Sequence, residues 1–249
     1  MTMGMMGEVI LSTSSRSSKR YCCRQAMQLH ILVVALACCA LVPRVLASYD
    51  VWIIRHCDKD DGNCCTAQGV DRAVGWAEYF KGHLSLATGI VTSNYAEESN
   101  TCMKGVAPAQ TDAKCQGSQR MFDTAFLLSQ SMGHPTSAIN VDFCSGLDDT
   151  TEMAAYMARQ PMAQLCVWEH KQIVDIIRAY GINLDSWPDS LSDTYNLVFR
   201  VQLGSSSSVG GAANGANTMQ YACYNYKSGS PECDKGVADW LKNFDKFSN

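Results

Sequence analysis

Three short apolar runs, separated by segments of helical periodicity, constrain the fold more than any other feature of the chain. Val51-Trp52-Ile53-Ile54 is apolar at every position and ends in a polar loop. A strand with one wet face alternates. A run without alternation reads as a strand buried on both faces, the kind that parallel sheets use. Gly89-Ile90-Val91-Thr92 and Leu165-Cys166-Val167-Trp168 read the same way, and Ile139 to Phe143 is a further strand. Between the runs, Thr66 can cap a helix on which Val70, Ala73, Val74 and Ala77 keep helical spacing. Ser118 opens another, with Phe122, Ala125, Phe126 and Ser129 on one face, and Asp148 to Arg159 forms a third. A fourth carries Ile173, Ile176, Ile177 and Tyr180 and stops at Gly181. Strand, helix, strand, helix predicts an α/β fold of three layers, a mainly parallel sheet flanked by helices.

The last third changes character. Tyr195, Leu197, Phe199, Val201 and Leu203 alternate with polar residues, Val198 excepted, which predicts an antiparallel strand added near the C-terminus. Met219 to Tyr226 can return as its hairpin partner across a flexible Gly204–Asn217 loop. Val237, Trp240, Leu241 and Phe244 mark a closing amphipathic helix. Residues 93–117 read as a long loop of the sort that is functional or pinned down.

At 249 residues, 47% of them hydrophobic, the chain is large enough for one sizeable α/β domain and too small for two. A net charge of −4 and the lack of any basic cluster interleaved with aromatics exclude nucleic acid as a partner. Residues 1–28 are polar with Arg16, Lys19, Arg20 and Arg24; an apolar run Ile31–Val42 follows, then Val45-Leu46-Ala47. This is the layout of a secretory signal cleaved after Ala47, leaving a domain over 48–249. The alternative is an uncleaved anchor, the only reading that involves a membrane. The apolar run is shorter than the roughly 20 residues of a spanning helix, which favours cleavage and a secreted protein. Thirteen cysteines agree with an oxidising compartment. Nine follow Ala47, an odd number, so one stays free or pairs between chains. Short loops suggest Cys102 with Cys115 and Cys223 with Cys233, and Cys166 reads as a buried thiol.

Open α/β sheets hold their ligands at the C-terminal ends of the strands. Arg55-His56 follows the first strand, Glu169-His170 follows the third, and Arg120 lies in the first turn of the helix opening at Ser118. Two arginines and two histidines converging on one crevice suit a doubly charged phosphate, since the guanidinium fork matches phosphate oxygens. A neutral histidine nitrogen can attack phosphorus while the cations offset charge, and such a transfer needs neither metal nor cofactor. The histidines show no zinc spacing, and Gly69 stands where a calcium loop starting at Asp58 would need its Glu.

Val51-Trp52-Ile53-Ile54-Arg55-His56-Cys57-Asp58-Lys59 resembles the Arg-His motif that opens the histidine phosphatase superfamily, also called phosphoglycerate-mutase-like. Ser118-Gln119-Arg120-Met121-Phe122-Asp123-Thr124-Ala125 resembles its second motif, and Cys166-Val167-Trp168-Glu169-His170 the strand that delivers the second histidine. Order and spacing agree over residues 50–203. The resemblance implies that His56 is phosphorylated transiently while Arg55, Arg120 and His170 hold the phosphate. Lys59 matches a lysine of a largely uncharacterised sub-branch with Arg-His-x-x-Lys and Trp-Glu-His strings, and Lys59 and Glu169 are further candidates at the substrate. The family commonly has Gly after the first His, where this chain has Cys57. A small residue fits there, whereas an oxidised or paired Cys57 would disturb His56. Lys171 occupies the place where some branches keep an acidic residue. For the proton donor, the Asp148, Asp149 and Glu152 cluster ranks above Glu169, which strand alternation points away. The expected activity is that of a phosphomonoesterase on a small phosphorylated substrate, with a mutase disfavoured. The alternative is a catalytically weak or inactive phospho-ligand-binding or surface interaction protein that keeps the fold.

Overall fold

The unalternating run Val51–Ile54 is the middle of strand β1, Asp50–Arg55, and is buried throughout because both sheet faces are covered. The computed structural model describes residues 50–59, 64–84, 89–95, 115, 119–144, 150–204, 217–228 and 233–247. In chain order, β1 is followed by α1 (Ala67–Lys81), β2 (Gly89–Asn94), α2 (Arg120–Met132), β3 (Ile139–Cys144), α3 (Thr150–Arg159), β4 (Gln164–Trp168), α4 (His170–Ala179), β5 (Leu197–Gln202), β6 (Thr218–Cys223), α5 (Lys235–Trp240) and β7 (Asp245–Lys246).

These strands form one sheet in the order β3-β2-β4-β1-β5-β6-β7. β3, β2, β4 and β1 run parallel; β5 pairs antiparallel with β1, and β6 antiparallel with β5. The expected mainly parallel sheet with antiparallel strands near the C-terminus is therefore what forms. Right-handed crossovers explain the layers. The chain moves outward from β1 to β2 to β3, then turns back to β4 between β2 and β1, so α3 falls on the face opposite α1 and α2. The core divides accordingly. Trp52, Ile54, Leu165 and Val167 pack with Trp76, Phe80 and Leu128 of α1 and α2. Ile53, Cys166, Trp168 and Phe199 pack with Met153, Ile173, Ile177 and Leu241 on the other side.

Two local expectations shift. Thr66 does cap α1, its Oγ1 accepting from the Gly69 N–H at 3.0 Å, but the buried face runs through Ala73, Trp76, Ala77 and Phe80. Val74, placed in the stripe by spacing, is 43% exposed. Two large aromatics outweigh two valines in choosing the face, because they remove more apolar area from water. In β5, Val198 is as buried as its neighbours because it faces the α1 side, while Leu197, Phe199 and Val201 face the other. Arg200, half-buried, pairs with Asp50 of β1 at 2.8 Å.

Cysteine pairing also differs in part. Cys223 joins Cys233 as expected, but Cys115 joins Cys144 at the end of β3. Its partner is set by proximity in space, which the short loop to Cys102 does not reveal. Cys57 joins Cys65, and Cys64 is also disulfide-bonded. Cys166 is free and buried. The Cys102 expectation, the 93–117 loop for the most part, the Gly204–Asn217 loop and the N-terminal leader lie outside the described residues. Among the described residues no helix is long and apolar enough to cross a membrane.

Candidate active site

The parallel pairing of β1 with β4 sets Arg55 beside Trp168, and the His56 N–H extends the ladder by donating to the Trp168 carbonyl at 3.1 Å. The chain leaving β1 is thereby locked next to the chain leaving β4. His56 stands at one strand end and Glu169-His170 at the other, where the crossovers diverge to opposite faces.

His56 is 2% exposed, and its Nδ1 lies 2.8 Å from the carbonyl oxygen of Cys57. A carbonyl only accepts, so Nδ1 carries the proton and Nε2 keeps a free lone pair. Burial first, then the charges of Arg55 and Arg120, hold the imidazole down to about 3, against the Cys57 hydrogen bond and Glu169, which act the other way. At neutral pH His56 is an uncharged ring with an unprotonated Nε2, the form a nucleophile needs.

Arg55 is held by a single loop. Its Nη1 donates to the carbonyls of Ser192 and, at 3.2 Å, Thr194; Nη2 donates to the Tyr195 hydroxyl at 3.2 Å. The guanidinium carbon also lies 3.9 Å from the Tyr195 ring centroid, and the same ring sits 6.0 Å from the His56 ring. Nε of Arg55 is buried and finds no hydrogen-bond partner among the described residues. Arg120, the first residue of α2, is half-buried and bears electrostatically on both His56 and Arg55.

Arg120 and Glu169, distant in sequence from Arg55-His56, thus bear on both of those residues. His170 joins through Glu169 and Trp187. Its Nδ1 stands 2.6 Å from Glu169 Oε1, and its ring packs edge-on to Trp187 with centroids 5.5 Å apart, while Arg55 lies 6.0 Å from the same indole. No family model and no curated protein matches this chain. Among solved structures it is similar to the protein histidine phosphatase SixA complexed with tungstate, at 14% identity over 63% of this chain and 90% of that one, with a TM-score of 0.41. It is similar to a phosphoglycerate mutase from Plasmodium falciparum, at 15% identity over 69% of this chain and 88% of that one, TM-score 0.40. A third likeness is to mycobacterial hydrolase 1, at 11% identity over 69% of this chain and 96% of that one, TM-score 0.42. At such scores the functional reading rests on the site's own geometry.

The other expected site residues fall in different places. Glu169 is the N-cap of α4: its Oε2 accepts from the N–H groups of Lys171 at 2.8 Å and Gln172 at 3.2 Å. Burial works to raise its carboxyl, but the bond and charge of His170 and the two backbone donors prevail and hold it at about 2. At neutral pH it is a carboxylate that caps the helix and faces His170. Its place next to His170 also corrects the strand-end picture, since His170 opens a helix and the cap turns Glu169 inward. Glu152 is exposed in the first turn of α3, and Asp148 lies outside the described residues. Lys59 is exposed, its backbone bridged to Cys65. Asp58 is gripped by Arg72 rather than by Lys59, through Nε at 2.6 Å and Nη2 at 2.9 Å. Cys57 is paired, yet His56 keeps its tautomer-fixing bond; the feared disturbance does not occur.

Sequence reasoning missed Tyr195, Trp187, Thr124 and Asp193. Tyr195 was visible only as the start of an alternating strand. Thr124 was visible as part of the second motif, without a role; it accepts from the Cys57 N–H at 2.8 Å. Asp193 is exposed, in the loop that holds Arg55, and its charge bears on that guanidinium. Among the described residues no group of three or more His, Cys, Asp or Glu is arranged to hold a metal ion.

Proposed function

We propose that this chain is a phosphomonoesterase that works through a phosphohistidine on His56. The single observation that carries the reading is the bond from His56 Nδ1–H to the Cys57 carbonyl, which leaves an unprotonated Nε2 on a ring that feels the charges of Arg55 and Arg120. Nε2 attacks phosphorus, the P–O bond to the leaving alcohol breaks, and that oxygen takes up a proton. Water then attacks the phosphohistidine, releasing inorganic phosphate and restoring the lone pair on Nε2. Arg55, through its unbonded Nε, and Arg120 offset the charge on the phosphoryl oxygens, with His170 as the further donor. The substrate is a small phosphorylated molecule.

Two carboxyls compete for the proton donor's role: Glu152, from its place in the chain, and Asp193, from its electrostatic reach to Arg55. A series of aryl and alkyl phosphates decides between them. Loss of the true donor slows alkyl esters about 10²- to 10⁴-fold and spares p-nitrophenyl phosphate, whose leaving group needs no proton. The disulfides Cys57–Cys65, Cys115–Cys144 and Cys223–Cys233 support a compartment outside the cytosol, in keeping with a leader over residues 1–47.

The test uses the full chain with p-nitrophenyl phosphate and rapid quenching. Turnover with acid-labile phosphate on His56, both abolished in His56→Ala, is the expected result. Absence of turnover together with phosphate-dependent thermal stabilisation would replace the enzyme by a phospho-ligand-binding protein. Neither would leave the reading without support.

A further inference from the structure

Among the described residues, the backbone group that the His56 ring bonds is the Cys57 carbonyl, and Cys57 is itself held at several points. The Cys57 carbonyl accepts from His56 Nδ1 at 2.8 Å, and the Cys57 N–H donates to Thr124 Oγ1 at 2.8 Å. Its side chain is joined to Cys65. Thr124 Oγ1 donates its own proton to the Arg120 carbonyl at 2.7 Å, so one hydroxyl ties the loop after His56 to the residue that opens α2. Cys65 stands immediately before Thr66, the N-cap of α1, and the Thr66 N–H donates to the Asp58 carbonyl at 3.0 Å. At Gly69, in the first turn of α1, a Cβ would lie 2.6 Å from Asp58 O and 3.0 Å from Cys57 Cβ, so the helix seats directly on this loop.

A neutral imidazole exchanges its proton between two nitrogens unless an acceptor is fixed beside one of them. The charged groups that bear on His56 are Arg55, Arg120 and Glu169. Guanidinium groups have no lone pair to offer, and the Glu169 oxygens are engaged by His170 and by two N–H groups of α4. The Cys57 carbonyl is therefore the acceptor that selects the tautomer. Its direction depends on two peptide torsions, which the Cys65 cross-link and the Thr124 hydroxyl hold from opposite ends.

We infer that the Cys57–Cys65 disulfide and the Thr124 hydroxyl are positioning elements that act through the Cys57 peptide to keep the proton on His56 Nδ1 and the lone pair on Nε2. The catalytic consequence rests on the phosphohistidine reading; the tautomer itself does not. The cross-link turns the departure from glycine after His56 into part of the site's construction.

The experiment is long-range ¹H–¹⁵N NMR of the imidazoles in the full chain with its disulfides formed, His56 being assigned from His56→Gln. In the wild type His56 is expected as the Nδ1–H tautomer, charging only near pH 3. In Cys57→Ser/Cys65→Ser and in Thr124→Val the two tautomers mix, and protonation does not move up, because the Cys57 bond that is loosened is one of the contacts that raise it. Thr124→Ser restores the wild-type pattern. Cys223→Ala/Cys233→Ala, which opens a cross-link of similar span, leaves His56 unchanged. For p-nitrophenyl phosphate, kcat falls about 10- to 100-fold in the first two variants, as misplacement of a reacting group predicts. An unmoved Nδ1–H tautomer in both variants overturns the inference, as does a wild type that carries the proton on Nε2. If the double variant does not fold, Thr124→Val decides. A shifted tautomer in a chain that never turned over would retain the inference and remove the phosphatase reading instead.

Discussion

Tyr195 holds Arg55 twice, by its hydroxyl at 3.2 Å and by its ring face at 3.9 Å. A hydrogen bond to a charged group contributes about 1.5–3 kcal/mol, and a largely desolvated cation–π contact about 2 kcal/mol. Tyr195→Phe keeps the stack and should raise KM for p-nitrophenyl phosphate a few-fold; Tyr195→Leu removes both and should raise it about tenfold or more. Equal kinetics in wild type and Tyr195→Leu would show that the loop carbonyls suffice. Asp123, one turn along from Arg120, makes a different residue-scale case. Fully buried, it accepts one hydrogen bond from Gln119 at 3.0 Å, and burial pushes its carboxyl up to about 7 against the pull of Gln119. Between its ordinary 3.8 and 7 the folded state holds a proton that the unfolded chain has lost, so Asp123 makes stability fall as pH rises through that window. Asp123→Asn should flatten this fall and raise the melting temperature at pH 8 more than at pH 4, read by thermal melts over pH 4–9. A gain that does not depend on pH would place the effect in packing instead.

Helix α4 shows how one element serves fold and site together. Its stripe of Ile173, Ile176 and Ile177 is buried against β1 and β4, and that burial sets its axis. Its N-terminus falls beside the end of β1, where Glu169 caps two orphan N–H groups and faces His170. Glu169→Ala should cost about 0.5–2 kcal/mol as the loss of an N-cap. It should also weaken phosphate binding, because His170 loses the contact that orients its ring. Glu169→Asp keeps a capping oxygen one methylene shorter. It should restore most of the stability and less of the binding, measured by denaturant titration beside phosphate-dependent melting shifts. Identical recovery of both would mean that His170 does not depend on Glu169. In α1, Trp76 and Phe80 override the valine spacing, an instance of side-chain area deciding which helix face turns inward.

For the molecule as a whole, the sheet carries the core and the cross-links secure its rims. Cys115–Cys144 spans 29 residues and fastens the end of β3. Removing it should cost about 3–4 kcal/mol if it acts by restricting the unfolded chain, seen as a lower melting temperature for Cys115→Ala/Cys144→Ala. Cys166, at the centre of β4, behaves as a small hydrophobe, and burial pushes its thiol up. Iodoacetamide should leave it unmodified in the native chain and label it once the chain is unfolded without reductant, as read by peptide mass spectrometry. Labelling of native Cys166 would show that the sheet opens.

The sequence by itself determined the elements and the list of candidate groups at their ends. Unalternating runs required strands buried on both faces, alternation in the 195–203 segment required an antiparallel addition, and Arg55, His56, Arg120 and His170 stood at the ends of those elements. Those are local signals, written in spacing a few residues long. Contacts between distant segments belonged to the tertiary structure alone. Only the folded chain brings the Ser192–Tyr195 loop around Arg55, makes Glu169 a helix cap, carries Cys115 to Cys144, and sets Cys65 and Thr124 against Cys57, whose carbonyl meets His56 Nδ1. Such pairings depend on which strands become neighbours, and strand order here is not chain order: β4 inserts between β1 and β2, so partners at the site come from more than a hundred residues away.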